Sequence, residues 1–464
     1  MCVYDTTPLQ QLDEVIQDTC NNFDDYRKNP SDFTRNRKLP LDKLIKTTLN
    51  MQGGRIDAEL LKAYPDLSER MSESAYEQQK AKLSPEVFED IFHTYNETMT
   101  NPKTLDVIQS YRVYGIDGSD FSIPYQSKSK YALPYQYGRP RKDGSGNKPT
   151  SQIHGNLRYD LLNCTYEDAV LQPRATFDER SAAIEMIERM NHDSPSITIM
   201  DRGYEGLNII EHLNRVDNCF YIIRASGGAA VKELTELPDE EADFEIEFTV
   251  TTSHTFYNQN RDKIPHLKYI PAVRNHHKDN ISKTTKDRKW DFEECCTVKY
   301  RVVKFKIENE DDKVVWETLI TNLNRFEFPI DRMKDMYRLR WGIETSFRNL
   351  KYAIGAICFH SRKDDFVEME LYAHFTMYNA VSRCINAVSV PQNIENKHTY
   401  AIDFKMAVNV IRNYMRFYNK FPYVQLFDEI LRYKVAVRPD RKDTRKVMNL
   451  KPKSAIWFMY RVAT

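Results

Sequence analysis

An α/β fold flanked by helical regions is what the 464-residue sequence predicts. Three observations carry this. Between 106 and 226, short apolar, β-branched runs alternate with stretches of helical period. Between 227 and 328 strand-like runs dominate. Before 105 and after 363, apolar residues recur at helical spacing.

Taken in order, 1–105 is polar, with helices expected at 10–20, 41–51, 57–63 and 73–81. Strands at 111–117, 152–162 and 166–173 come next, then a helix at 179–190, a strand at 196–201, a helix at 205–216 and a strand at 219–224. That is a ribonuclease H-like order, in which the first and fourth strands lie side by side. Asp117, before Gly118 and Ser119, and Asp201, before Gly203, each read as the last side chain of its strand. A turn-forming Asp is the plainer reading of either alone. The side-by-side strands would bring the two together.

The gap from Asp201 to Glu344 is far longer than one strand and a connector need, so 227–328 reads as an inserted β-rich subdomain, with strand-like runs at 243–250, 296–307 and 314–320. The ribonuclease H-like domain, begun at 106–226, resumes at 329–362, and a helical region with a basic tail fills 363–464, with helices expected at 367–389 and 402–417. The Gly, Pro and Ser-rich stretch 138–149, with four basic residues, reads as a mobile loop.

One long amphipathic helix is expected from near Asp331. Met336, Leu339, Ile343, Phe347, Leu350 and Ile354 form its apolar stripe. At about 100° per residue, Tyr337, Arg340, Glu344 and Lys351 share an arc roughly 60° wide, and Arg348 lies close to it. One carboxylate among an arginine, a lysine and a phenol suits a phosphodiester bound through a divalent cation, with Glu344 on the metal and Arg340 and Lys351 on phosphates. A solvated face with a Glu344 to Arg348 pair is the bland alternative.

Composition leaves the partner open, since 67 basic and 67 acidic residues give no net charge. Basic clusters at 27–46 (with Arg35, Arg37 and Lys38), 266–290 and 432–453 are each unremarkable alone, but together they suggest a DNA path. The eight cysteines form no CxxC pair and are expected to be reduced thiols, and His276 and His277 to be surface residues. No signal peptide and no membrane-spanning segment are expected, and the placement expected is cytoplasmic.

The order Asp117, Asp201, Glu344, with Asp-Arg-Gly-Tyr at 201–204 and the Tyr-Arg-Glu-Lys spacing at 337–351, resembles the DDE transposases of bacterial insertion sequences, most of all the insertion sequence 4 branch. The likeness spans about 33–355 and includes 33–38, 74–79 and Thr321-Asn-Leu. It implies three catalytic carboxylates holding two Mg²⁺ ions, with Mn²⁺ as a substitute. It also implies terminal inverted repeats and target DNA as partners, a homodimer in the DNA complex, and cut-and-paste transposition through a hairpin step. Asp120 competes with Asp117 for the first place. In relatives a tryptophan of the insertion stacks on a flipped base, a role that would fall to Trp290, whereas Trp316 reads as core. Tyr337, Arg340, Arg348, Lys351, Arg35, Arg37 and Lys38 would complete the DNA contacts. A ribonuclease H-like nuclease and an inactive domesticated DNA-binding protein are the alternatives.

Overall fold

The computed structural model describes residues 7–35, 37–98, 105–133, 149–225, 232–270, 290–308, 314–392, 398–416 and 423–437. The loop 138–149, except Pro149, and His276, His277 and the tail beyond 437 lie outside them.

Five helices open the chain: α1 (Pro8–Asn21), α2 (Leu41–Asn50), α3 (Ile56–Ala63), α4 (Glu73–Lys80) and α5 (Glu86–Glu97). Thr7 starts α1 through a reciprocal cap, accepting from the Gln10 N–H at 3.3 Å while its own N–H donates to Gln10 Oε1 at 2.8 Å. The fifth helix was not expected, although Val87, Phe88, Ile91, Phe92 and Tyr95 form one fully buried face.

Strands β1 (Arg112–Ile123), β2 (Ala132–Leu133), β3 (Thr150–Asp160) and β4 (Thr165–Pro173) lead to α6 (Glu179–Glu188), β5 (Ser196–Met200), α7 (Leu207–Asn214) and β6 (Cys219–Arg224). β4, β3 and β1 are antiparallel neighbours, and β5 and β6 continue parallel to β1. This is the ribonuclease H-like arrangement, with the first and fourth long strands paired as expected.

The stretch 227–328 adds α8 (Lys232–Thr235), β7 (Ala242–Thr251), α9 (His254–Asn260), β8 (Leu267–Tyr269), β9 (Cys295–Glu308) and β10 (Val314–Thr321). Its strands build no sheet of their own. β10 pairs with the otherwise free edge of β6, matching Leu319 to Arg224, so one sheet runs β3-β1-β5-β6-β10-β9-β7-β8.

Side chains alternate across this sheet. Val113, Ile197, Ile199 and Ile222 enter one core with the terminal helices, while Ile116, Met200, Tyr221 and Ile223 enter a second under α6 and α7. After β10 come α10 (Ile330–Arg338), α11 (Trp341–Asn349), a π turn at Leu350–Ile354, and α12 (Asp364–Asn386). α12 is buried on nearly every face and packs against α1, α2 and α5, which joins the N-terminal helices to the sheet in one core. β11 (Thr399–Ile402), α13 (Phe404–Arg416), α14 (Tyr423–Arg432) and β12 (Lys434–Val437) follow, with β11 and β12 paired antiparallel.

No described helix is long and apolar enough to cross a membrane. The seven described cysteines are free.

Candidate active site

The parallel register of β1 and β5 matches Ile116 to Met200. Asp117 and Asp201 are the next residues along each strand, and alternation turns both toward the core face on which Ile343 and Phe347 pack. Asp201 ends β5 as expected, its Oδ1 accepting from the Gly203 N–H at 2.7 Å. Asp117 does not end its strand. β1 continues to Ile123 because its pairing with β3 runs unbroken to Ser151, so Asp117 lies mid-strand, accepting from the Gly118 N–H at 2.8 Å.

Asp117 is pushed up to about 7, chiefly by burial, with Asp201 and Glu179 raising it further against the pull of the Gly118 N–H and Arg340. A buried carboxylate among other carboxylates is a place where a cation is stabilising.

The signature segment is two helices rather than one. At their junction the Leu339, Arg340, Gly342 and Ile343 N–H groups reach back three residues instead of four, tightening the turn. Gly342 permits this close to β3's end, since a Cβ there would stand 3.0 Å from Leu161. The apolar stripe still faces inward: Met336, Ile343, Phe347, Leu350 and Ile354 are buried.

The arc residues meet β1 in different ways. The Arg340 guanidinium pairs with Glu344 at 2.8 Å and approaches Asp117 at 4.0 Å. Glu344 therefore takes Arg340 as its partner, and Arg348 is left exposed. The Tyr337 ring is buried, and its phenol is pushed up to about 12 by burial. Lys351, assigned to phosphate by its spacing, donates to Ser119 Oγ at 2.7 Å and to the Asp120 carbonyl at 2.9 Å. Its ammonium thus ties the π turn to β1.

Asp120 falls on the opposite face of β1 from Asp117. Burial alone would raise its pKa, but bonds from His154 Nδ1 at 2.7 Å and Arg174 Nε at 2.9 Å hold it below the usual value.

The remaining sequence-derived candidates lie apart from the acids in their contacts. Trp290 donates from Nε1 to the Glu293 carbonyl at 2.9 Å and packs on Phe292. Arg35, Arg37 and Lys38 are exposed on the loop before α2. Trp316 is half-buried under the Lys304 ammonium.

Three residues at the site went unread in the sequence. Trp341 is 62% exposed beside the Arg340 guanidinium, and its position off the apolar stripe was the available signal. His154 and Glu179 carried no motif. They emerge only from the pairing of β3 with β1 and the placement of α6.

Residues 108–380, more than half of the chain, match the family model described as the transposase DDE domain. The chain belongs to the DDE transposases. The transposase is thus an enzyme of DNA transposition, in a family that generally uses divalent metal ions. Among solved structures it is similar to the piggyBac transposase synaptic complex with hairpin DNA, at 10% identity and a TM-score of 0.43, covering 94% of this chain and 87% of that one. A search of curated proteins gave no match.

Among the described residues no three acid, imidazole or thiol side chains stand close enough to hold a metal ion jointly. Arg340 instead bridges toward two of the three acids. Asp117, Asp201 and Glu344 offer carboxylate oxygen alone, the ligand type that hard cations such as Mg²⁺ and Mn²⁺ prefer.

Proposed function

We propose that the transposase performs cut-and-paste transposition, with Asp117, Asp201 and Glu344 as its catalytic carboxylates. The observation that carries this reading is that Asp117 and Asp201 each directly follow the last matched pair of a parallel register, Ile116 with Met200, and that Arg340 pairs with Glu344 while approaching Asp117. These three side chains would hold two Mg²⁺ ions, which supply activation of the attacking oxygen and stabilisation of the leaving oxygen in an in-line displacement.

Arg340, freed from Glu344, would bind a phosphate beside the scissile bond, with exposed Arg348 as its neighbour. Water nicks the element end; the released 3′ hydroxyl then attacks the opposite strand to give a hairpin and, after that opens, joins target DNA. Arg35, Arg37 and Lys38 would contact the DNA backbone, and Trp290 a flipped base. Two ends must be processed together, so a homodimer on paired ends is part of the proposal.

The test is a Mg²⁺-dependent assay on DNA carrying the terminal inverted repeats. Nicks, hairpins and strand-transfer products are expected. Cleavage with no joining would favour a nuclease. A fully active monomer on single ends, measured by light scattering of the cleaved complex, would remove the dimer.

A further inference from the structure

We propose that the cavity between the loop 31–39, the start of α2 and the end of α4 binds a nucleoside phosphate, presented as an unpaired nucleotide of the bound DNA strand, with its base inside and its phosphate at the rim. This rests on the preceding reading of Arg35 and Arg37 as DNA contacts.

The cavity has a volume of about 570 Å³, inside the range of about 300–1,000 Å³ that encloses small ligands. Two stretches noted in the sequence, 33–38 and 74–79, meet at it through Phe33, Arg35, Arg37 and Gln79. One wall is aromatic and apolar. Phe33 and Phe23 meet edge to face with ring centroids 6.5 Å apart, and buried Leu39 lines the same space. Phe33 holds a φ of 59°, a left-handed conformation that bulky residues rarely adopt. Strain of this kind persists only where the surroundings fix it, and it gathers at ligand sites. An aromatic wall accepts a base of any identity.

The rim is cationic. Arg35, Arg37 and Lys82 line the cavity against one carboxylate, Asp32, which already accepts from Asn29 at 3.2 Å and lies 3.9 Å from Lys82. Arg35 and Arg37 are exposed and have no ion-pair partner among the described residues. They are placed to take a phosphate.

Gln79 decides between a nucleotide and plain backbone contact. It is only 7% exposed; its Oε1 accepts from Lys82 Nζ at 3.1 Å, while its amide N–H₂ has no partner among the described residues. A donor left open in a cavity wall is satisfied by an acceptor on a base edge. Intact duplex backbone would use the rim and leave both this donor and the aromatic wall unfilled.

The experiment is ultraviolet crosslinking of the full-length wild-type chain to bromodeoxyuridine, mapped by mass spectrometry, with three probes: a single-stranded oligonucleotide, the same strand in intact duplex, and free bromodeoxyuridine monophosphate. Crosslinks within 31–41 are expected from the single strand, about tenfold above those from duplex. Equal crosslinking from duplex overturns this inference and leaves the reading of Arg35 and Arg37 standing. Crosslinks from the free nucleotide alone keep the ligand class and overturn the strand as its source. No crosslink there from any probe, with duplex still retarded in a gel, overturns the inference and that reading together.

Gln79→Leu supplies a second measurement. By calorimetry, the preference of the chain for thymidine monophosphate over deoxyribose phosphate should fall about fivefold, because the sugar phosphate reports the rim and the base reports Gln79. An unchanged ratio overturns the placement of the base. Crosslinking uses the native chain, so it decides the matter even if this variant folds poorly.

Discussion

Arg340 holds Glu344 at 2.8 Å on the first turn of α11. The same guanidinium stands 4.0 Å from Asp117, so one positive charge serves two acids that would otherwise repel. It does where the acids converge what a divalent ion would do more strongly. Arg340→Ala should therefore leave Mn²⁺ affinity at wild-type level or higher, while cleavage and joining fall by about 10- to 100-fold as a phosphate contact is lost. Calorimetry alongside a nicking assay checks this. Loss of Mn²⁺ binding in Arg340→Ala would mean that the arginine organises the acids rather than substituting for a cation.

Alanine at Asp117, Asp201 or Glu344 should abolish nicking and joining while end binding survives, because carboxylates serve the metal and phosphate affinity comes from elsewhere. Asp120→Ala should behave differently. Its carboxylate is committed to His154 and Arg174, so its loss lowers the melting temperature and leaves metal binding in place. Full activity in Asp117→Ala would remove it from the triad.

How far this was legible follows from the range of the forces involved. The paired strands before Asp117 and Asp201 and the stripe on the signature segment are local patterns, and the structure keeps both. The end of β1 was misplaced because Asp-Gly-Ser resembles a turn, whereas the long pairing with β3 carries the strand through it. The joining of β10 to β6 and the placing of Glu179 beside Gly118 depend on contacts between distant segments, which no periodicity encodes. Lys351 shows the limit most plainly. Spacing gave the side of the helix it occupies, but not that Ser119 and the Asp120 carbonyl would be waiting there.

Lys351→Ala is accordingly expected to act on stability before it acts on DNA. The ammonium is part-buried, with burial lowering its pKa, and its removal leaves the Asp120 carbonyl and Ser119 hydroxyl short of a donor. A loss of about 1–3 kcal/mol is expected from denaturant titration, with little change in the salt dependence of DNA binding. A drop of about one unit in that salt slope with unaltered stability would restore the phosphate role read from the sequence.

His374 on α12 sets an acid limit on the fold. Both ring nitrogens are buried without a partner among the described residues, and the pKa is lowered to about 3 by burial, with Arg412, His360 and Lys80 lowering it further against Glu370. The folded value lies below the unfolded one of about 6.5, so the imidazole makes no pH-dependent contribution above that pH. Between about 6.5 and 3 the unfolded chain binds a proton that the folded chain refuses, and stability falls as the pH falls. His374→Phe, set near the Phe359 ring, removes this term. The variant should lose stability more slowly on acidification, by up to about 1.4 kcal/mol per pH unit between pH 6 and 4. Parallel curves for variant and wild type, from denaturant melts across that range, would show that His374 takes up a proton in the folded chain and that α12 has a route for charge that its packing conceals.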